Sequence, residues 1–292
     1  MGTIKTKGIV IAEHNMGDYD KMITLLTPGL GKISCAAKGA RRPKSSLLAG
    51  TQYLCFGEYV LYKGSNTYNI NSCSTIEVFY NVRIDLDKLN YVAEITRLIQ
   101  DTTTENQNSY NILQLLLNTI YVISETDKNL DLVMSIFKLR LISILGFKPH
   151  IEKCTNCGEK ENINYFSLRD NGLKCEACGK QDKSAVEINE GTLNAIKYAI
   201  LAPAKKLYSF KVSEESIREL KIISKLYLND KLDKEYKIWH MYQFDICHIL
   251  LYNTKQWLSW KIDKIRDLSF MYKKLVFRNN KRNWFGNKKW DL

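Results

Sequence analysis

Two cysteine pairs, Cys154-Thr-Asn-Cys157 and Cys175-Glu-Ala-Cys178, constrain this chain more than any other feature it carries. Seventeen residues separate the pairs, a spacing at which two C-x2-C turns close on one metal ion. Each pair is short enough for one tight turn to aim both sulfurs inward, and two turns complete a tetrahedron. Gly158 and Gly179 follow the pairs and are expected to take positive φ where the backbone curls around sulfur. Between the pairs, Asn162–Leu168 reads as a short strand over the metal. Four thiolates leave no open coordination position, so the expected zinc, one per chain, is structural and activates no water. The alternatives are two unrelated pairs or two disulfides, and a free-standing disulfide framework belongs to short secreted chains.

The other four cysteines, Cys35, Cys55, Cys73 and Cys247, stand singly among apolar or strand-like neighbours and read as ordinary core thiols. The first residues resemble no secretory leader, and no apolar run reaches the length of a membrane span. The expectation is a cytoplasmic protein with no membrane contact. With 45% hydrophobic residues, 292 positions allow two or three domains with their own cores. A formal charge of +12 points to a polyanionic partner.

Residues 1–80 read as β-structure. Gly8–Glu13, Lys21–Thr27, Lys32–Lys38, Tyr53–Tyr62 and Tyr68–Glu77 are predicted strands, the last two forming a hairpin around Lys63-Gly-Ser-Asn66. Five short strands suit a small barrel or a sandwich. From residue 81 the apolar period becomes helical, through Leu86–Ile99, Ile112–Ile120 and Leu132–Leu145. A short helix over Gly191–Leu201 follows the cysteines, and Ser213 is the predicted N-cap of another. The cysteine module at 154–178 is thus inserted into a helical domain spanning 81–238. The fold class is α+β and multidomain.

Recognisable catalytic patterns are missing from the sequence. His14, His150, His240 and His248 form no His-Glu-x-x-His pair, and there is no phosphate loop or nucleophile elbow. Glu13, Asp18 and Asp20 could be assembled into a carboxylate site, but acids in polar turns are usually solvated. The expectation is a protein that is not an enzyme.

Lys38, Arg41, Arg42 and Lys44 fall within seven residues, just after a predicted strand, with Gly39 and Pro43 marking a loop. Cations on a loop of a small barrel can follow a sugar-phosphate backbone without reading bases. Tyr53, Tyr59, Tyr62 and Tyr68 on the following hairpin are divided between core and stacking roles.

Three blocks in order, Gly8–Ile11 with Gly17–Lys32 and Ala37–Ser45, then Tyr91–Ile95 and Phe137–Pro149, then the four cysteines, resemble the RecO family of bacterial DNA repair and recombination mediators. The resemblance covers residues 1 to about 238. It implies an N-terminal OB-fold β-barrel, an α-helical domain and an inserted zinc module. It also implies a non-catalytic function: binding single- and double-stranded DNA, annealing complementary strands, and helping RecR load RecA onto DNA covered by single-stranded-DNA-binding protein. The family's DNA contacts on the barrel map here to Lys38, Arg41, Arg42 and Lys44. A zinc-stabilised protein-interaction adaptor with incidental DNA affinity is the alternative, and a nuclease is a third.

Residues 239–292 depart from that resemblance. They hold all five tryptophans and no Glu, Ala or Pro, and they contribute +7 of the net charge. Such a segment reads either as a basic, aromatic DNA-binding arm or as the product of a shifted reading frame, and the abrupt change in composition favours the second.

Overall fold

The computed structural model describes residues 2–64 and 67–234. Five strands form a closed barrel in the order β1-β2-β3-β5-β4: β1 (Thr3–Met16), β2 (Asp20–Thr27), β3 (Gly31–Ala37), β4 (Phe56–Lys63) and β5 (Tyr68–Glu77). The long β1 makes closure possible. Its first half pairs with β4, Thr3 opposite Tyr62 to Ile9 opposite Phe56. Its second half pairs with β2, and a bulge between Val10 and Ala12 marks the change of partner. β3 and β5 meet in a short parallel pairing, Cys35 with Tyr68 and Ala36 with Asn69. This is the OB-fold arrangement of a five-stranded barrel.

The two-residue period fills the interior. Ile23, Leu25, Ile33, Cys35, Tyr59 and Leu61 face inward and are almost wholly buried. Burying each such aliphatic side chain stabilises the fold by roughly 1.5–3 kcal/mol. Cys35 and Cys55 are indeed buried core thiols, and Cys73 is partly buried. Burial pushes the Cys35 thiol up to about 12, so it stays protonated and inert. Cys247 lies outside the described residues.

Two strand predictions needed revision. β1 begins at Thr3, not Gly8, because Thr3–Lys7 alternates polar residues and becomes strand only through the neighbouring β4. β4 begins at Phe56, not Tyr53. Tyr53 instead turns outward from the barrel, its hydroxyl 2.7 Å from Thr96 Oγ1 on a helix.

That helix belongs to the second layer. A one-turn α1 (Tyr80–Arg83) leads into α2 (Leu86–Thr102), α3 (Tyr110–Glu125) and α4 (Leu130–Ile144). Backbone bonds tie the α2–α3 connection to the barrel: Lys32 N donates to Thr104 O (3.1 Å) and Asn106 N to Leu30 O (2.9 Å). Gly31 sits in the seam with φ of 69°, and a Cβ there would fall 2.2 Å from Thr104 O. Only glycine permits both the conformation and the approach.

After the cysteine region come α6 (Glu190–Leu201) and α7 (Glu214–Leu232). Ser213 caps α7 as expected, its side chain accepting from Ser216 N. Asp131 on α4 joins three helices, accepting from Tyr91 Oη (2.6 Å) and Lys221 Nζ (2.8 Å). Arg140 of α4 donates to the carbonyls of Ile200 and Ala202, satisfying acceptors that the end of α6 leaves open. Among the described residues no helix is long and apolar enough to cross a membrane. The tail, 239–292, lies outside the described residues.

Candidate metal centre and candidate nucleic-acid interface

The cysteine region is a small three-stranded sheet, order β7-β6-β8, of β6 (Ile163–Ser167), β7 (Gly172–Cys175) and β8 (Ala185–Glu187). The strand expected between the cysteine pairs is β6. Its Phe166 is fully buried and meets Tyr227 of α7 edge to face, with centroids 5.3 Å apart. Cys175 ends β7, and Cys178 lies on the single turn α5 (Glu176–Gly179) that follows.

Cys154 N donates to Glu159 O (2.7 Å) and Gly158 N to Cys154 O (3.0 Å), curling the first pair. Gly158 takes the positive φ that the curl requires, 80°. Gly179 does not, contrary to expectation. Its lack of a side chain serves packing instead, since a Cβ would lie 2.2 Å from Tyr165 Cγ.

The four Sγ atoms of Cys154, Cys157, Cys175 and Cys178 all lie within 4.8 Å of one another, and those of Cys157 and Cys175 are 3.6 Å apart. Four bonds of about 2.3 Å to a tetrahedral ion put sulfurs about 3.8 Å apart, so the arrangement fits a metal site with sulfur ligands alone. Asn156 Nδ2 reaches Cys178 Sγ at 3.3 Å, a donor suited to a thiolate.

The electrostatics agree. Burial opposes ionisation of Cys154, but backbone N–H groups of Cys157, Cys175 and Asn156 outweigh it and bring the thiol down to about 6. At exposed Cys157 the Glu159 N–H favours the thiolate, yet the sulfurs of Cys154, Cys175 and Cys178 prevail and push it up to about 12. Cys154 ionises readily and Cys157 then resists. A bound dication removes that mutual repulsion, which is why such clusters hold metal.

A buried polar knot ties β6 and β7 to the segment before β8. Asp182 accepts from Lys174 Nζ (2.7 Å) and Ser167 Oγ (2.5 Å), and Lys174 also pairs with Asp170. The Lys174 hydrogen bond, followed by that of Ser167, holds the Asp182 carboxyl far below the usual carboxylate range.

The basic loop follows β3 at one end of the barrel. Lys38, Arg42 and Lys44 are exposed, while Arg41 is half-buried. The loop is stapled to the β1–β2 turn. Gly39 N donates to Asp20 Oδ1 (2.7 Å), Arg41 N to Tyr19 O (2.9 Å) and Arg41 Nη1 to Gly17 O (3.0 Å). Ala40, fully buried, pins the loop into the barrel core. The four cations therefore share one loop, but Arg41 spends part of its guanidinium on structure.

Two of the three carboxylates considered for a catalytic site are engaged, and Asp18 is exposed. Glu13 pairs with Lys21 at 2.9 Å, and Asp20 holds the Gly39 amide. Of the hairpin tyrosines, Tyr59 and Tyr68 are core, and Tyr62 is 36% exposed. The sequence reading passed over Tyr19, which is 51% exposed beneath Arg42. Its signal was available: an aromatic at the centre of a polar turn has no apolar neighbours to join.

An OB-fold barrel fastened to a helical domain, with a basic loop at the barrel end and a four-cysteine cluster able to hold a metal ion, defines a class of multidomain OB-fold proteins. The family models for Recombination protein O N terminal and C terminal match residues 1–79 and 83–240. The DNA repair protein RecO of Acetivibrio thermocellus is 43% identical over 237 residues, covering 81% of this chain and 94% of that protein. Those of Alkaliphilus metalliredigens and Thermoanaerobacter sp. are each 33% identical, covering 79% and 81% of this chain and 94% and 96% of theirs. The chain belongs to the RecO family of DNA repair proteins.

Proposed function

We propose that the chain is a non-catalytic recombination mediator that binds single- and double-stranded DNA, anneals complementary strands, and works with RecR to load RecA where single-stranded-DNA-binding protein covers the strand. It acts in the cytoplasm, at the nucleoid. Residues 1–80 supply the DNA surface, and residues 81–238 supply the helical support with its module at 154–178. One structural zinc ion, bound by Cys154, Cys157, Cys175 and Cys178, holds that module together. The sulfur-only donor set and the close approach of the four Sγ atoms support the choice of zinc.

The observation that carries the DNA reading is the stapled basic loop, with Lys38, Arg42 and Lys44 in solvent on a fixed support. Annealing brings two polyanions together. Cations that neutralise phosphates lower their repulsion and leave base edges open to pair. Arg41 adds its charge to the same face while its Nη1 keeps the loop on Gly17. The test is strand annealing and binding by the triple Ala variant of Lys38, Arg42 and Lys44. Both should fall on every sequence alike. Unchanged binding with an intact fold would move the DNA surface elsewhere.

The adaptor reading has its own support in exposed Tyr80, Ile84 and Leu86, three apolar side chains within seven residues at the start of the helical domain. It becomes the better account if the triple variant anneals normally.

A further inference from the structure

A shallow cleft of about 520 Å³ opens beside the basic loop, lined by Tyr19, Arg42, Pro43 and Lys44. Its floor is unusual for a surface turn. Tyr19 exposes half of its side chain, and the Arg42 guanidinium carbon lies 5.3 Å from the ring centroid. The ring is not loose decoration, because the main chain on both sides of it is held. Gly17 O and Tyr19 O accept from Arg41, and Asp20 accepts from Gly39 N. An aromatic ring on an anchored turn thus stands within 5.3 Å of a guanidinium, with the rigid Pro43 ring and a lysine beside them.

Flat π-faces next to cations recognise one chemistry well, an unpaired base with its phosphate. We propose that Tyr19, Arg42 and Pro43 form a seat for a single unpaired nucleobase, with Lys44 on the adjoining phosphate. The proposal rests on the DNA-binding reading above and adds to it a residue and a preference. A base inside a duplex has both faces covered by its neighbours, so the seat accepts single strands and leaves duplex binding to the cations alone. Stacking uses the face of a base and not its edge, so it tolerates every sequence. It also leaves the pairing edge turned outward, the presentation that annealing needs.

Three ligands of equal length separate the terms: oligo-dT, an abasic strand with the same phosphates, and a duplex. Affinities are read by fluorescence anisotropy across a salt series for the unaltered protein, Tyr19→Ala, Tyr19→Phe and the double variant Arg42→Ala/Lys44→Ala. Tyr19→Ala should weaken oligo-dT on the order of tenfold, from the usual value of one base–aromatic stack. Tyr19→Phe should bind as the unaltered protein does. Tyr19→Ala should leave abasic and duplex affinities and the salt slope unchanged.

An equal loss on abasic and normal strands, or a flatter slope, would overturn the seat, because Tyr19 would then act only by holding Arg42 toward phosphate. No loss for Tyr19→Ala while the double variant binds weakly would sink the seat and spare the DNA-binding reading. If the double variant binds all three ligands normally, that reading falls, and the seat falls with it.

Discussion

At the thiol cluster four sulfurs converge within 4.8 Å, and the surrounding chain turns its amides toward them. At the barrel end Lys38, Arg42 and Lys44 stand in solvent, and the chain behind them turns its amides away, toward Asp20 and Tyr19, while the Arg41 side chain holds Gly17 O. In the first region the charges are brought so close that only a cation can reconcile them. In the second they are held on a fixed loop and left for a long anion to reach. The thiol cluster is therefore closed and cooperative, whereas the basic loop is open and, on the proposed DNA reading, nearly additive. Single changes should be catastrophic in one and graded in the other.

The largest effect tests the closed region. Cys175→Ser should abolish stoichiometric zinc and unfold the 154–178 module, since binding free energy in such sites is folding free energy, about 10–16 kcal/mol in small zinc peptides. Elemental analysis and limited proteolysis read the result. DNA affinity should stay close to that of the unaltered protein, because the barrel core shares no residue with the module. Full metal content in the variant would refute the four-ligand assignment, and weakened DNA binding would refute the separation of the two regions.

Next in size is the buried knot of Ser167, Lys174 and Asp182. Asp182→Asn removes one of the two carboxylates paired with buried Lys174 and leaves Asp170, so it should cost less than the about 3–5 kcal/mol of a buried charge left wholly unpaired. The same carboxyl gives a pH signature. Its folded pKa is depressed by Lys174 and Ser167, so its contribution is complete above the unfolded value near 4 and is lost as pH falls below it. Acid titration of the unaltered protein should therefore lose module stability below about pH 4. Asp182→Asn should start lower and show a flatter acid limb. Parallel limbs in the two proteins would mean that the knot is not a source of acid sensitivity.

Graded effects belong to the loop. Replacing Lys38, Arg42 or Lys44 singly with Ala should flatten the slope of log affinity against log salt by about 0.7 for each single-strand phosphate no longer neutralised. Stability should move by no more than about 0.5 kcal/mol, as for surface positions generally. Arg41→Ala should differ, costing both slope and loop order, because Arg41 donates to Gly17 O. Identical behaviour of Arg41 and Arg42 in thermal melts would remove that distinction.

The two regions also differed in how far the sequence disclosed them. The four-cysteine cluster was readable because its spacing is local: Cys-x2-Cys forces a turn whatever surrounds it. The helical periods likewise marked α2, α3 and α4, whose apolar faces repeat along the chain. The barrel yielded less. Thr3–Lys7 is strand only by virtue of β4, some fifty residues away, and Tyr53 leaves the barrel to meet Thr96 on α2. The basic loop was visible as composition, but its attachment to Gly17, Tyr19 and Asp20 depends on two turns meeting in space, which no local pattern encodes. Gly179 shows the same limit in small: its position suggested a backbone role, and only the neighbouring Tyr165 ring reveals a steric one.

The smallest expected effect concerns residues 239–292, which carry +7 of the +12 charge and all five tryptophans. The family match ends at residue 240, and β1 through α7 are complete by Leu232. A chain ending at residue 238 should therefore keep its melting behaviour and its annealing rate. The salt slope is the more discriminating measurement. A basic arm that engages DNA would neutralise phosphates of its own, each worth about 0.7 in the single-strand slope, and its removal would flatten the line accordingly. A segment that stays off the DNA would add none. An unchanged slope would leave the barrel end as the DNA surface, whereas a flatter one would give the open region a second part and make the tail a working arm.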